Sequence, residues 1–225
     1  MITITVVGSI NLDLIATVER LPAPGETVTG GDFGTAPGGK GANQALAARR
    51  AGAEVRMIGA VGKDAFAMEA LSLLEEGGFD RALCLRMQAP TGTALILVDA
   101  KGENVIAVVS GANRSVLPGD LAAAGPRKSE YLLLQQEIPL ETVEAALRAG
   151  RKAGAISVLN TAPFRAEAAS FIGEADYIVA NETEFDLYAD ALSLPKGDRT
   201  RRMAAFAERT GRTLIGTMGA EGVLA

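Results

Sequence analysis

Short β-branched runs alternate with helical periodicities along most of this chain, and that alternation restricts its fold more than any other feature. Thr3-Ile4-Thr5-Val6-Val7 reads as a strand ending at Gly8. Val55 to Gly59, Leu132 to Gln135, Ile156 to Leu159, Tyr177 to Ala180 and Thr213 to Thr217 read the same way. Helical patterns fall between them. One runs from Lys40 to about Arg50, and a second carries Ala67, Ala70, Leu71 and Leu74 at spacings of three and four. Leu140, Val143 and Leu147 share a face of a third. A short helix follows near Ala166 to Ile172, another spans Glu182 to Ala189, and Ala204 to Thr210 ends the last. Strands that alternate with helices predict an α/β fold with a central, mostly parallel sheet, right-handed crossovers and flanking helices.

Two stretches interrupt the alternation. Asn11 to Val18 reads as a strand with Asn11 and Asp13 on one face and Leu12 and Leu14 on the other. Leu21-Pro22-Ala23-Pro24-Gly25 is a turn cluster. Thr93 to Val98 and Val105 to Val109 flank Asp99-Ala100-Lys101-Gly102-Glu103, a hairpin signal. The regions around 11–36 and 91–110 therefore predict a small separate sheet. Neither a repeat nor a linker divides the chain, which reads as one domain over 1–225. Gly59-Ala60-Val61-Gly62-Lys63-Asp64 reads as a structural turn into a helix with Asp64 as N-cap.

Composition narrows the chemistry. Hydrophobic residues make up 48%, which excludes a disordered chain. Apolar runs such as Tyr131-Leu132-Leu133-Leu134 fall short of a membrane span, and the N-terminus lacks a basic segment leading into an apolar one. A cytoplasmic protein with no membrane partner is the expectation. The single Cys84 excludes an internal disulfide and a cysteine metal cluster, and reads as a buried, inert thiol. The net charge is −5 and Arg199 to Arg202 is too short a basic run to make nucleic acid a partner. Histidine is absent, which removes Ser-His-Asp and Cys-His catalysis and every His-ligated metal. Carboxylates, lysine, amides, hydroxyls and backbone N–H groups remain. Phosphoryl transfer suits that set, because it depends mainly on positioning and charge stabilisation.

In open parallel sheets ligands bind beyond the carboxyl ends of the strands. Five strand exits here carry polar groups: Ser9, Asn11 and Asp13; Gln135, Gln136 and Glu137; Asn160 and Thr161; Asn181 and Glu184; Thr217 and Gly219. Loops are polar in general, but five such exits are what a single rim-mounted site requires. Gly38-Gly39-Lys40-Gly41-Ala42-Asn43-Gln44 is a glycine-rich turn into a helix and lacks the Walker A spacing. Lys40 reads as an anion contact or a solvated loop lysine. Asn181-Glu182-Thr183-Glu184 sits where a helix begins, a place that attracts phosphate. Glu184 reads either as a magnesium holder acting through water or as the capping-box partner of Asn181, and the two are compatible.

These segments resemble the ribokinase-like (PfkB) carbohydrate kinase family, and the likeness runs from Gly8 to Ala225. It is carried by Gly8-Ser9-Ile10-Asn11-Leu12-Asp13, Pro24-Gly25-Glu26-Thr27, Gly38 to Gln44, Gly59 to Asp64, Thr91-Gly92-Thr93-Ala94 and Gly111-Ala112-Asn113. Glu137-Ile138-Pro139-Leu140-Glu141, Leu159 to Pro163, Asn181 to Glu184 and Thr217 to Gly222 continue it in family order. The Gly38 to Gln44 and Glu137 segments resemble the ribokinase branch more than the fructose, adenosine or ketodeoxygluconate branches. The resemblance implies transfer of the γ-phosphoryl of ATP to the primary hydroxyl of ribose or a similar small sugar, giving ribose 5-phosphate.

By that likeness Asn11, Asp13, Gly39, Lys40, Asn43 and Glu137 hold the sugar hydroxyls, and Ala94 and Ile96 of the lid touch its apolar face. Asn181, Glu184, Thr217 and Gly219 serve ATP and its Mg²⁺, with Glu184 acting on the metal through water. A monovalent cation activator and a homodimer through the lid sheet belong to the same implication. The family's aspartate base, its glycine-rich anion hole and much of its adenine pocket match positions beyond Ala225, so no catalytic residue is assigned here. Asp13 keeps its sugar-binding role. Gly222-Val223-Leu224-Ala225 reads as a strand that is only beginning, an arrangement expected to leave an unpaired edge and uncovered apolar surface. A catalytically inactive sugar-binding remnant of the same fold is the alternative reading, and an oligomerising structural subunit is a third. An interface alone does not require Asn11, Asp13, Lys40, Asn43 and Glu137.

Overall fold

A computed structural model describes residues 2–79 and 84–225. Its strands are β1 (Thr3–Val7), β2 (Asn11–Val18), β3 (Gly30–Gly38), β4 (Glu54–Gly62), β5 (Cys84–Met87), β6 (Gly92–Val98), β7 (Asn104–Val109), β8 (Tyr131–Leu134), β9 (Ile156–Asn160), β10 (Tyr177–Asn181), β11 (Thr213–Thr217) and β12 (Val223–Leu224). Its helices are α1 (Lys40–Arg50), α2 (Ala65–Glu76), α3 (Leu121–Ala124), α4 (Leu140–Ala153), α5 (Glu182–Ala191) and α6 (Arg199–Thr210). None is long and apolar enough, among the described residues, to cross a membrane.

The strands form the two expected sheets. The large one has eight strands in the order β12-β11-β10-β9-β8-β1-β4-β5, and only the β11–β12 pairing is antiparallel. From β1 the chain first winds towards β4 and β5, then returns to β8 on the other side of β1 and continues outward. The direction of winding therefore reverses between β1 and β8, leaving a crevice beyond their carboxyl ends.

Register explains the packing. Val7 pairs with Ile58 and with Leu134, and these side chains join the core built by α4, α5 and α6 with Leu147, Phe185, Tyr188 and Phe206. Val6 pairs with Met57, one residue out of phase, and joins Ala45, Leu71 and Leu74 of α1 and α2. Successive residues point to opposite faces. A strand buried on both faces must therefore be continuously apolar, which is why Val6-Val7 and Met57-Ile58 read as unbroken runs. Val158, Val179 and Ile215 are only partly buried, and Val223 is 66% exposed.

The small sheet has the order β3-β2-β6-β7, with β6 and β7 as the expected antiparallel hairpin. Asp99 closes its turn: its carboxylate accepts from the N–H groups of Lys101 (2.8 Å) and Glu103 (3.0 Å). Leu12 and Leu14 on one face of β2 pack towards α2. β7 is an edge strand whose Val105, Ile106, Val108 and Val109 are all about half exposed.

Several sequence expectations needed correction. Gly59 to Gly62 is the buried end of β4, and only Lys63-Asp64 forms the turn. A run of glycines can serve as strand where a neighbouring backbone comes close. Asp64 does cap α2, accepting from Ala67 N–H at 3.0 Å. The helix expected near Ala166 to Ile172 is two short 3₁₀ turns, Ala166–Ser170 and Ile172–Glu174. Neither has a side-chain N-cap, and Ala168, Phe171 and Ile172 reach the core from this tighter winding. β3 completes the sheet region expected around 11–36 and runs two residues past it, whereas β5 has no counterpart in the sequence expectations. Cys84 is buried as expected.

Candidate active site

The crevice between β1 and β8 brings together the polar exits of those two strands and the start of α1. Ser9 follows β1 and Glu137 follows β8. The Ser9 hydroxyl donates to Glu137 Oε2 at 2.5 Å, and Lys40 N–H, opening α1, donates to the same oxygen at 3.1 Å. One carboxylate oxygen is thus fixed by two donors from distant parts of the chain. Gly41 N–H donates to Ser9 Oγ at 3.3 Å, and Ala42 N–H to Ser9 O at 2.9 Å, so α1 starts directly on the loop after β1. Gly39 makes that approach possible. Its φ is 91°, and a Cβ there would lie 2.8 Å from both Asn11 N and Ser9 O.

Asp13 stands near Glu137 on the polar face of β2. Burial first, and the charge of Glu137 second, push the Asp13 carboxyl above the usual carboxylate range. Two carboxylates held near one another in a crevice make a strong acceptor pair for hydroxyl groups. In the register of the small sheet, Asp13 lies between Ala36 and Ala94, and Ile15 lies beside Ile96. Ala94 and Ile96 therefore share the face that carries Asn11 and Asp13. Asn43 is one turn into α1 from Lys40 and is exposed.

A cleft of about 790 Å³ extends from this point. Lys40, Arg114, Gln136, Glu137, Glu141, Arg165 and Glu184 supply its polar lining, and Ile106 and Val108 of β7 cover one side. Gln136 is one of the polar strand exits expected from sequence, whereas Arg114 and Arg165 carry no sequence expectation. Gln136 is buried and accepts from the Tyr188 hydroxyl at 2.8 Å. The same hydroxyl accepts from Arg165 N–H at 3.2 Å, which pins the loop after β9. The signal in the sequence was the run of polar residues at these exits, and it did not say which would face inward.

At the far end Asn181 caps α5. Its Oδ1 accepts from Glu184 N–H at 2.8 Å, and Glu184 Oε2 accepts from Asn181 N–H at 3.1 Å, a complete capping box. Glu184 also lines the cleft, so capping and ligand contact are compatible, as the sequence reading allowed. Asn181 pairs with Thr217 across β10 and β11, and Gly219 follows in a left-handed conformation with φ of 51°. Asn181, Thr217 and Gly219 lie along the rim outside the cleft lining. The expected residues thus form a compact set around Asp13, Lys40 and Glu137 and a second set along the exits of β10 and β11, with Glu184 on the cleft wall.

The whole chain, residues 1–225, matches the profile described as pfkB family carbohydrate kinase. The chain belongs to the PfkB family of carbohydrate kinases. Among curated PfkB relatives, it is 40% identical to ribokinase from Lactococcus lactis, covering 100% of this chain and 72% of that protein. It is 35% identical to deoxyribokinase from Salmonella typhi, covering 98% of this chain and 74% of that one. The solved structure of ribokinase from Arabidopsis thaliana, complexed with ribose and ATP, superposes with a TM-score of 0.78 at 27% identity. That superposition covers 99% of this chain and 74% of the other. Proteins named ribokinase are thus similar to this chain in both sequence and fold.

Proposed function

We propose that this PfkB protein is an ATP-dependent sugar kinase acting on D-ribose, with transfer to the primary hydroxyl. The observation that carries the reading is the pair Asp13 and Glu137, with Glu137 anchored by Ser9 and Lys40 at the switch point of the sheet. Carboxylates accept hydroxyl protons, Asn11, Asn43 and Lys40 donate to hydroxyl oxygens, and Ala94 and Ile96 offer an apolar surface. Gly39 lets the backbone close on the ligand. The relatives named ribokinase and the neighbour solved with ribose and ATP support the same substrates, and nothing in the comparisons favours a non-catalytic remnant.

In the reaction the primary hydroxyl oxygen forms a bond to the γ-phosphorus. The bond from that phosphorus to the β–γ bridging oxygen breaks, ADP leaves and the hydroxyl proton passes to a base. No residue of this sequence is assigned as that base. Asn181, Thr217 and Gly219 line the rim on which the nucleotide would rest, and Lys40 and Arg165 offer positive charge in the cleft. Glu184 suits Mg²⁺ held through water: Oε2 is engaged by the cap, while Oε1 has no hydrogen-bond partner among the described residues. The metal would neutralise charge on the β- and γ-phosphates. The half-exposed apolar residues of β7 suit pairing with a second copy of the chain.

Titration calorimetry with D-ribose, followed by assay of ribose-dependent ADP formation from ATP, tests the reading. Saturable ribose binding is expected, with ribose stronger than 2-deoxyribose. Binding of neither sugar would overturn it. A separate substitution divides the two roles of Glu184. Glu184→Gln keeps a side-chain acceptor for the cap, so unfolding stability should change by less than ~0.5 kcal/mol. The Mg²⁺ concentration needed for half-maximal turnover should rise about tenfold. An unchanged Mg²⁺ requirement would leave Glu184 as a cap alone.

A further inference from the structure

Asn113 settles which end of the Asn11 amide faces the sugar crevice. It lies in the 3₁₀ turn Gly111–Ser115, just after β7, and is 1% exposed. Its Oδ1 accepts from Ile10 N–H at 2.9 Å. A backbone N–H can only donate, so that end of the Asn113 amide must be oxygen. Its Nδ2 donates to Ile10 O at 3.1 Å, and a carbonyl can only accept. Both ends are therefore fixed by backbone groups. The second N–H of Nδ2 donates to Asn11 at 2.7 Å, and the atom that receives it must be Oδ1. The remaining end of Asn11 is its NH₂ group. Asn11 is 2% exposed, and its Nδ2 has no partner among the described residues.

We propose that Asn113 is a positioning residue that locks Asn11 as a hydrogen-bond donor to a sugar hydroxyl oxygen. This rests on the sugar-kinase reading and deepens it. Asp13 and Glu137 accept only, so each hydroxyl they bind spends its single proton on them. The oxygens of those hydroxyls then need donors. An Asn11 amide turned the other way would set a third acceptor against them. Sugar recognition thus depends on a residue that does not touch the sugar.

The surrounding structure protects this arrangement. Asn11 pairs with Gly38 on one side and Gly92 on the other. A Cβ on Gly92 would collide with both Asn11 Oδ1 and Asn113 Nδ2, so only glycine lets the amides meet. The residue before it, Thr91, is held by Asp64, whose carboxylate accepts from Thr91 N–H at 2.7 Å and from its hydroxyl at 2.6 Å. The N-cap of α2 thereby anchors the start of β6 beside the amide pair.

Asn113→Asp tests the proposal. The new carboxylate still accepts from Ile10 N–H but cannot donate to Asn11, so the Asn11 amide should turn and present oxygen to the sugar. Ribose affinity by calorimetry should fall about tenfold or more. A thermal midpoint that drops while the folded protein keeps its ribose affinity would overturn the proposal, leaving Asn113 a structural residue only. Should this variant fail to fold, the wild-type protein gives a second reading. The ¹⁵N side-chain amide resonance of Asn11, assigned by its loss in Asn11→Asp, should shift on ribose addition, and that of Asn113 should move much less. Ribose binding with an unmoved Asn11 amide would overturn the donor role while leaving the kinase reading intact. Absence of ribose binding in the wild type would instead sink the kinase reading itself.

Discussion

Asp13→Asn should weaken ribose binding about 100-fold while leaving the folded protein at least as stable as the wild type. The loss follows from removing a charged acceptor: a hydrogen bond to a charged group contributes about 1.5–3 kcal/mol, or roughly one to two decades in affinity. The stability follows from the Asp13 environment. Burial, and then the charge of Glu137, raise its carboxyl above the ordinary value. The native state therefore holds this proton to higher pH than the unfolded chain does. Stability from this group is full below the ordinary carboxylate value and declines as pH rises through the raised one. Asparagine removes that decline.

Ribose affinity should run the opposite way in the wild type. The charged carboxylate is the better acceptor, so binding should weaken as pH falls through the raised value. Denaturant unfolding at a series of pH values, with calorimetry on the same samples, checks both trends. An unchanged ribose affinity in Asp13→Asn would remove Asp13 from the site.

The second large effect lies at the opposite end of the sheet. Glu130, just before β8, accepts from Arg56 at 2.6 Å, from the Thr5 hydroxyl at 3.0 Å and from Arg127 N–H at 3.0 Å. The Glu130 side chain is 8% exposed and that of Arg56 17%. Burial by itself would raise the Glu130 carboxyl. The hydrogen bonds from Arg127, Arg56 and Thr5, with the charge of Arg56, outweigh it and hold the group below the usual range. Glu130→Ala takes the carboxylate away from the Arg56 guanidinium, which still donates to Thr5 Oγ1 and Gly125 O, and should cost about 3 kcal/mol. For a chain of this size that lowers the thermal midpoint by roughly 10 °C.

Here the pH trend has the usual carboxylate sign. The stabilisation is full above the ordinary carboxylate value and is lost as pH falls through the depressed one. Acid sensitivity should therefore be blunted in Glu130→Ala. Ribose affinity of the folded fraction should not change, because the cluster sits at the amino ends of β1, β4 and β8, far from the crevice. A midpoint within 2 °C of wild type would show that the cluster contributes little net stability.

Much of this molecule is legible without coordinates. Val6-Val7 and Leu132 to Leu134 announce buried strands, and the three-and-four spacing of Ala67, Ala70, Leu71 and Leu74 announces the buried face of α2. Asn181 and Glu184 declare a capping box by being three residues apart, and Asp99 to Glu103 declares a hairpin turn. In each case the deciding interaction joins residues a few positions apart, so the information is local. The bounds of the glycine-rich strand β3 and the 3₁₀ turns after β9 are illegible for the complementary reason. Their conformations are set by what packs against them, and Gly30 to Gly38 carries little propensity of its own.

The candidate site divides along the same line. Residue types at the strand exits pointed to a polar, metal- and phosphate-compatible rim, and family likeness named the sugar contacts. That Ser9 reaches Glu137 across 128 positions, and that Asn113 reaches Asn11 across 102, required the strand order β8-β1-β4 and the placement of the small sheet over the crevice. The order of residues is enough to say which segments are strands and helices and which chemical groups stand at their ends. Tertiary structure alone decided which of those groups meet and which way the Asn11 amide points. Helical and strand periodicity is set by backbone geometry over a few residues, whereas contacts between distant segments arise only when the strands find the one order that buries their apolar faces on both sides.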